Sequence, residues 1–324
     1  MLPPVDTVHE WTYNVFELTT SEMIALATGL LHWAGVDTYL GVSLNDLHAF
    51  CVQVEAEYND VAYHNFRHGV CVMHVTYLIL HGLENVHIDI HHRSALLIAA
   101  LCHDAKHDGM TNAFHVAAKS SLYERFPVSS PQERLHAATA KELIERCKLL
   151  QNLSTSQAEN IQQLVESLIL ATDMNLHQQV LANAASEPQH VESIAQLILH
   201  CADISNPIMT MDMSRRWAKC LIDEFTMQIG AERSLGLPLS TYMMAAPNSR
   251  EEARLHIGFI ERYAAEAWRL LVEILANNSE LFATCLSNLV ANEKYWRLKA
   301  ADRWRLKHSD TNVVLTCVES LQAA

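Results

Sequence analysis

The sequence predicts an all-α fold, a single compact multi-helix domain, and three observations carry that prediction. Nine glycines and eight prolines in 324 residues are few, so turn-forming positions are too sparse for a strand-rich fold. Apolar residues recur at helical spacing along most of the chain. Half of the residues are hydrophobic and 19 % are charged, an ordinary globular balance with ample material for a core.

Taken in order, Gly69 to Leu80 and Arg93 to Cys102 are apolar enough to be central, largely buried helices. Phe126 to Gln132 reads as a loop, and Ser130-Pro131 leads into a helix starting near Gln132. Ile161, Leu164, Val165, Leu168 and Ile169 form one apolar stripe, and Val191, Ile194, Ala195, Leu197, Ile198 and Cys201 form another. Ser205-Asn206-Pro207 ends that second helix, because a residue before proline disfavours the α conformation. Gly236-Leu237-Pro238 and Ala246 to Ser249 bracket an irregular segment, and a new helix begins near Arg250. From Ile260 through Tyr263, Ala264, Ala267, Trp268, Leu271 and Val272 to Leu275 the stripe is unbroken. No repeat, low-complexity tract or glycine- and serine-rich linker divides the chain, so residues 1–324 read as one domain with a motif-bearing core of about 11–296. The abrupt ends suggest a domain cut from something longer.

Composition also excludes functions. A net charge of −14 without a basic run argues against nucleic-acid binding, which needs cations to neutralise phosphates. The longest apolar run, Ala95 to Cys102, falls far short of the ~20 residues of a membrane span. With no amino-terminal signal segment, the expectation is a soluble cytoplasmic protein. Cys51, Cys71, Cys102, Cys147, Cys201, Cys220, Cys285 and Cys317 are scattered and never in a Cys-x-x-Cys pair; they read as free thiols in a reducing compartment. Oligomeric state is not legible.

Among nineteen histidines, His32, His48, His87, His91, His92, His190 and His308 read as ordinary surface or core residues. Three other segments gather histidine and aspartate. Tyr63-His64-Asn65-Phe66-Arg67-His68 holds two histidines four apart, one helix face if the segment is helical. His103 to Asn112 follows an apolar helix, and His200 to Pro207 is the polar end of another. Imidazole and carboxylate without thiolate suit zinc, manganese or magnesium. Two metals sharing a hydroxide would acidify that water and aim it at phosphorus.

These segments resemble the signature of the class I 3′,5′-cyclic-nucleotide phosphodiesterases, part of the histidine–aspartate metal phosphohydrolase superfamily. That signature runs His-Asn-x-x-His, His-Asp-x-x-His-x-Gly-x-x-Asn, then Ala-Asp-x-Ser-Asn-Pro, and His64–His68, His103–Asn112 and Ala202–Pro207 satisfy its fixed positions. Ala171-Thr172-Asp173-Met174 and Gly258-Phe259-Ile260 match as well, in the right order. The resemblance implies that His68, His103, Asp104 and Asp203 hold zinc, with Asp104 reaching a second metal, magnesium or manganese. It implies outer-shell roles for His107, Glu133 and Thr172. His64 would be the general acid that protonates the departing 3′ oxygen, oriented by Glu224. Phe259 would stack on the purine, with Ile204 and Leu221 as the opposing wall and Asn206 and Tyr63 as further substrate contacts.

One departure bears on the substrate. The family places a glutamine three residues before the stacking phenylalanine, and here that position is His256. Glutamine offers donor and acceptor side by side, whereas a neutral imidazole offers them on opposite ring edges. Lys106 and Asp108 also depart from the second motif, and Tyr242 to Ser249 matches poorly. Three functions therefore stay open: a cyclic AMP or cyclic GMP phosphodiesterase, a broader metal phosphohydrolase, and a catalytically weakened nucleotide-sensing domain.

Overall fold

The computed structural model describes residues 2–3, 8–83, 88–275 and 280–301, so His87, His308 and Cys317 lie outside the described residues. The described residues contain fifteen α-helices and no strand, as the sparse glycine and proline imply. In order they are α1 (Thr20–Trp33), α2 (Val36–Leu40), α3 (Leu44–Glu55), α4 (Phe66–His81), α5 (Ile90–Cys102), α6 (Asn112–Ala118), α7 (Ser121–Arg125) and α8 (Pro131–Arg146). Then come α9 (Thr155–Leu170), α10 (His177–Ser186), α11 (Val191–Asp203), α12 (Met211–Leu235), α13 (Arg250–Phe259), α14 (Ala265–Leu275) and α15 (Glu280–Ala300). No described helix is long and apolar enough to cross a membrane.

Three helices form the centre. α4, α5 and α11 pack on one another, with α1 against α4 and α9 against α5. They can be central because they are apolar nearly all round: every residue from Ser94 to Cys102 and from His68 to Leu80 is buried. α4 begins where the Asn65 side chain accepts from the Arg67 and His68 amides. α5 and α11 end at Cys102 and Asp203. The polar termini of all three meet at one end of the bundle.

Close approach of α4 to α5 requires Gly69. A Cβ there would stand 2.5 Å from the Tyr58 hydroxyl and 3.1 Å from the Leu101 carbonyl oxygen. Those two groups are themselves joined, Tyr58 Oη donating to Leu101 O at 2.8 Å. The added methyl therefore strains a packed contact.

Two expectations are corrected. His64 and His68 do not share a helix face: the helix starts at Phe66 behind an extended Asn65, because the asparagine side chain occupies the amides that an earlier start would use. The stripe from Ile260 to Leu275 is not one α-helix either. A π turn over Ile260–Ala264 joins α13 to α14. One extra residue rotates the flanking faces by about 100° relative to each other. Phe259 accordingly faces a cleft while Trp268 is buried and donates to Cys201 O at 3.0 Å. Elsewhere the expected boundaries agree, with α8 starting at Pro131 and α13 at Arg250, capped by Ser249.

Cys51, Cys71, Cys102, Cys201 and Cys285 are buried free thiols, and Cys147 and Cys220 are free and half-buried. Replacing Gly69 by Ala should cost about 1–3 kcal/mol of stability, the usual penalty of overpacking, read as a lower midpoint in urea unfolding; an unchanged midpoint would contradict the packing described.

Candidate metal centre and substrate cleft

At the meeting point of α4, α5 and α11 the side chains of His68, His103, Asp104 and Asp203 converge. His68 Nε2 lies 3.0 Å from Asp203 Oδ1 and 3.4 Å from Asp104 Oδ2. His103 Nε2 lies 3.1 Å from Asp104 Oδ2 and 3.2 Å from Asp203 Oδ1. One ligand atom from each of the four falls within 4.8 Å of the others.

The ring of His103 shows what belongs between them. Its Nδ1 donates to Ala100 O at 2.9 Å, so in the neutral ring Nε2 carries a lone pair. A lone pair facing two carboxylates is repulsive unless a positive charge lies among them. Without a cation a proton must serve: although burial opposes it, Asp104 and then Asp203 push His103 well above the ordinary imidazole value. Asp104 Oδ2 is buried and accepts no hydrogen bond among the described residues. The donor set, two imidazoles and two carboxylates, fits a divalent cation.

Further polar side chains pack around this group. His136 donates from Nδ1 to Ala105 O at 2.6 Å and turns Nε2 to within 3.9 Å of Asp104 Oδ1. Asp104, His107 and His136 form a further group close enough to hold an ion. His107 accepts from the Gly109 amide at 3.0 Å, and its Nε2 is 2.9 Å from Gln132 Nε2. Asn112 donates to both oxygens of Glu133, at 3.2 and 2.9 Å. Burial, then Asp173, still lifts Glu133 to about 7. Thr172 Oγ1 donates to Ile169 O at 2.8 Å.

His64 stands beside the centre, its ring stacked 4.0 Å from that of His107. Glu224, from α12, orients it. One carboxylate oxygen accepts from the Tyr63 and His64 amides at 2.9 and 3.1 Å, and the other takes the His64 Nδ1 proton. Burial alone would lower the His64 pKa, but Glu224, with Asp104 and Asp203 behind it, raises it to about 9. With Nδ1 engaged, Nε2 is the remaining ring nitrogen.

These groups open into a cleft of about 430 Å³ that also contains Glu133, Thr172, Ile204, Asn206, Leu221, His256 and Phe259. Such a size suits a small ligand. Asn206 Nδ2 donates to the Tyr63 hydroxyl. Ile204 is buried, and Leu221 and Phe259 are half-buried. His256 is only 8 % exposed and lies against Trp296, ring centroids 4.3 Å apart. Every residue expected at the site is thus in or beside this cleft. Lys106 points away, its ammonium 3.3 Å from Glu57.

Four further residues at the site carry little or no signal in the sequence. His136 had a signal, three residues after Glu133. Trp217 lies seven residues before Glu224, on the same helix face, with its ring 5.4 Å from Tyr63 and 5.6 Å from His68. Gln228, four beyond Glu224, accepts from the Thr111 amide at 2.9 Å and holds the second motif. Trp296 had no local signal, since its partner is forty residues away. Histidines away from the site have their own partners: His32 pairs with Asp37 at 2.6 Å, five residues on, and His91 with Tyr39 at 3.1 Å across the fold.

The described residues thus form an all-α domain with histidines and aspartates gathered at one end of its central helices. A family profile described as 3′,5′-cyclic nucleotide phosphodiesterase matches residues 63–285, and the chain belongs to that family. It is 28 % identical over 271 residues to the mouse high affinity cGMP-specific 3′,5′-cyclic phosphodiesterase 9A, covering 79 % of this chain and 50 % of that protein. It is 31 % identical over 255 residues to the mouse 3′,5′-cyclic-AMP phosphodiesterase 4C, covering 72 % of this chain and 37 % of that one. The crystal structure of the phosphodiesterase domain of the RhoPDE fusion protein from the choanoflagellate Salpingoeca rosetta superposes with a TM-score of 0.86 at 25 % identity, covering 93 % of this chain and 98 % of that domain. The chain thus spans half or less of the length of these two mouse relatives.

In the metal-free protein the His64 imidazole should titrate near 9. Glu224→Gln removes the nearest negative charge, so the protonated ring loses its main support and the pKa should fall to the ordinary value near 6.5 or below. Nuclear magnetic resonance titration of the ring protons reads this directly; an unmoved midpoint would show that Glu224 does not set it.

Proposed function

We propose that this chain hydrolyses 3′,5′-cyclic nucleotides to nucleoside 5′-monophosphates. The observation that carries the reading is the Glu224–His64 pair opening beside the four-residue metal group in one cleft. Zinc held by His68, His103, Asp104 and Asp203, with magnesium or manganese shared through Asp104, would neutralise phosphate charge and acidify the attacking water. His107, Glu133 and Thr172 line the side of the cleft suited to the second cation's waters.

The chain's own contribution is proton delivery. Water oxygen adds to phosphorus, the bond from phosphorus to the 3′ oxygen breaks, and that oxygen leaves as a poor alkoxide unless protonated. His64 in its cationic form donates from Nε2, and Glu224 holds the ring in the orientation this requires. The His64 imidazolium, held at about 9 in the metal-free protein, would give up its proton more readily beside a divalent cation bound by those four residues. Phe259 offers a face for the base, Ile204 and Leu221 oppose it, and Asn206 with Tyr63 edges the site. The chain acts in this reading as one catalytic domain on a small molecule, in the cytoplasm. Its acidity leaves nucleic acid without an attractive surface.

His256 favours a second reading, a broader phosphohydrolase with loose base contacts, so the assay panel should include a generic phosphodiester. Cyclic AMP or cyclic GMP should be hydrolysed with magnesium or manganese present. Chelation should abolish turnover, and zinc plus magnesium should restore it. His64→Ala should lower kcat by about 10²- to 10⁴-fold. The remaining rate with wild-type protein should fall on the alkaline side, as His64 loses the proton it must donate. Hydrolysis of bis(4-nitrophenyl) phosphate but of neither cyclic nucleotide would overturn the substrate assignment.

A further inference from the structure

We propose that Glu232 is a positioning residue for the reaction, one carboxylate that sets the metal-side wall of the cleft through Gln228 and the mouth of the cleft through Ser240. The inference rests on the function proposed above and adds to it a residue outside the cleft lining and outside the metal group.

Glu232 lies two turns beyond Glu224 on α12 and is only 2 % exposed. Taking a carboxylate out of water is costly unless hydrogen bonds replace the water, and three do. Oε1 accepts from Gln228 Nε2 at 2.8 Å and from the Ser240 hydroxyl at 2.7 Å, and Oε2 accepts from the Ser240 amide at 2.7 Å. Burial opposes the charge, yet these donors hold the pKa below the ordinary carboxylate value. The group is therefore an anion near pH 7. Its three donors are neutral, and stability alone gives little reason to keep an anion among them. What the anion adds is direction.

An ionised carboxylate only accepts. It draws the Nε2 end of the Gln228 amide to itself and turns Oε1 toward Thr111, whose amide donates to it at 2.9 Å. A reversed amide would lose both contacts, setting oxygen against oxygen and N–H against N–H. Thr111 caps α6, and Gly109, Met110, Thr111 and Asn112 all line the cleft. Asn112 in turn accepts from the Gln132 amide at 3.0 Å and donates to Glu133. Through Ser240 the same carboxylate ties down the chain that leaves α12 at Gly236. The turn that follows, Thr241–Met243, buries Met243 and brings Tyr242 to the cleft, its ring 6.2 Å from that of Phe225. Two walls far apart in sequence share one anchor.

The test is steady-state kinetics on cyclic AMP and cyclic GMP with magnesium or manganese present, alongside the thermal midpoint of each variant. Gln228→Glu sets two carboxylates against each other and should lower kcat by about 10- to 100-fold, the loss of a hydrogen bond to a charged group, with little change in KM. Ser240→Ala frees the mouth instead, and should raise KM by about three- to tenfold while kcat stands. The double exchange of Gln228→Glu with Glu232→Gln separates orientation from mere packing. It presents a carboxylate to the Thr111 amide, an amide N–H to that carboxylate and an amide oxygen to the Ser240 amide. Every partner is matched again, so kcat should return to within about threefold of wild type. A loss of stability alone would lower the midpoints without parting kcat from KM, and the exchange would not reverse it. Folded single variants with wild-type kcat and KM, or a double exchange as impaired as Gln228→Glu, would overturn the proposal and leave the hydrolytic function standing. If Gln228→Glu does not fold, the milder Ser240→Ala decides, and an unchanged KM overturns the proposal. Wild-type protein that turns over neither nucleotide would overturn the function itself, and this inference with it.

Discussion

Each of two imidazole nitrogens lies 3.0–3.4 Å from both of two carboxylate oxygens at the end of three buried helices. With a neutral His103 ring that arrangement is repulsive, because its Nδ1 proton is already spent on Ala100 O and its Nε2 lone pair faces the carboxylates. A positive charge among the four atoms turns mutual repulsion into attraction, and its affinity would be linked to folding. The rest of the fold keeps the helices in register. Gly69 lets α4 approach α5, Asn65 starts α4 one residue before Phe66, and the apolar bodies of α5 and α11 bury themselves on either side.

A second set of contacts ties the centre to the long helix α12. Glu224 reaches back to the Tyr63 and His64 amides and to the His64 ring. Gln228 holds Thr111, and Trp217 walls Tyr63 and His68. Phe16 packs against Trp217 with ring centroids 4.6 Å apart, and Arg67 donates to the carbonyls of Val15 and Leu18. The amino-terminal segment therefore supports the cleft from beneath. α12 acts as the brace across which these contacts are strung, which explains why it buries Glu224 and Gln228 among its apolar residues.

Much of this was legible in the sequence, for physical reasons that differ by element. Apolar helices such as Arg93 to Cys102 announce themselves because a central helix is apolar on every side. His103, Asp104 and Asp203 were legible because polar side chains abruptly end apolar runs. The placement of His64 was not, because a four-residue spacing implies one helix face only where no cap intervenes, and Asn65 is a cap. The π turn after Phe259 was hidden since an apolar stripe survives the insertion of one residue when alanines fill both candidate positions. Trp296 against His256, and Trp217 against His68, are tertiary contacts with no local signature.

The claim on which the account rests is that a divalent cation occupies the space between His68, His103, Asp104 and Asp203. Anomalous diffraction from crystals grown with zinc, collected on both sides of the zinc absorption edge, tests it most directly. The account predicts a single strong anomalous peak within coordination distance, about 2.0–2.2 Å, of both Nε2 atoms and of an oxygen from each aspartate. Fully formed crystals with no peak there, and with the carboxylates still drawn together around a protonated His103, would contradict it.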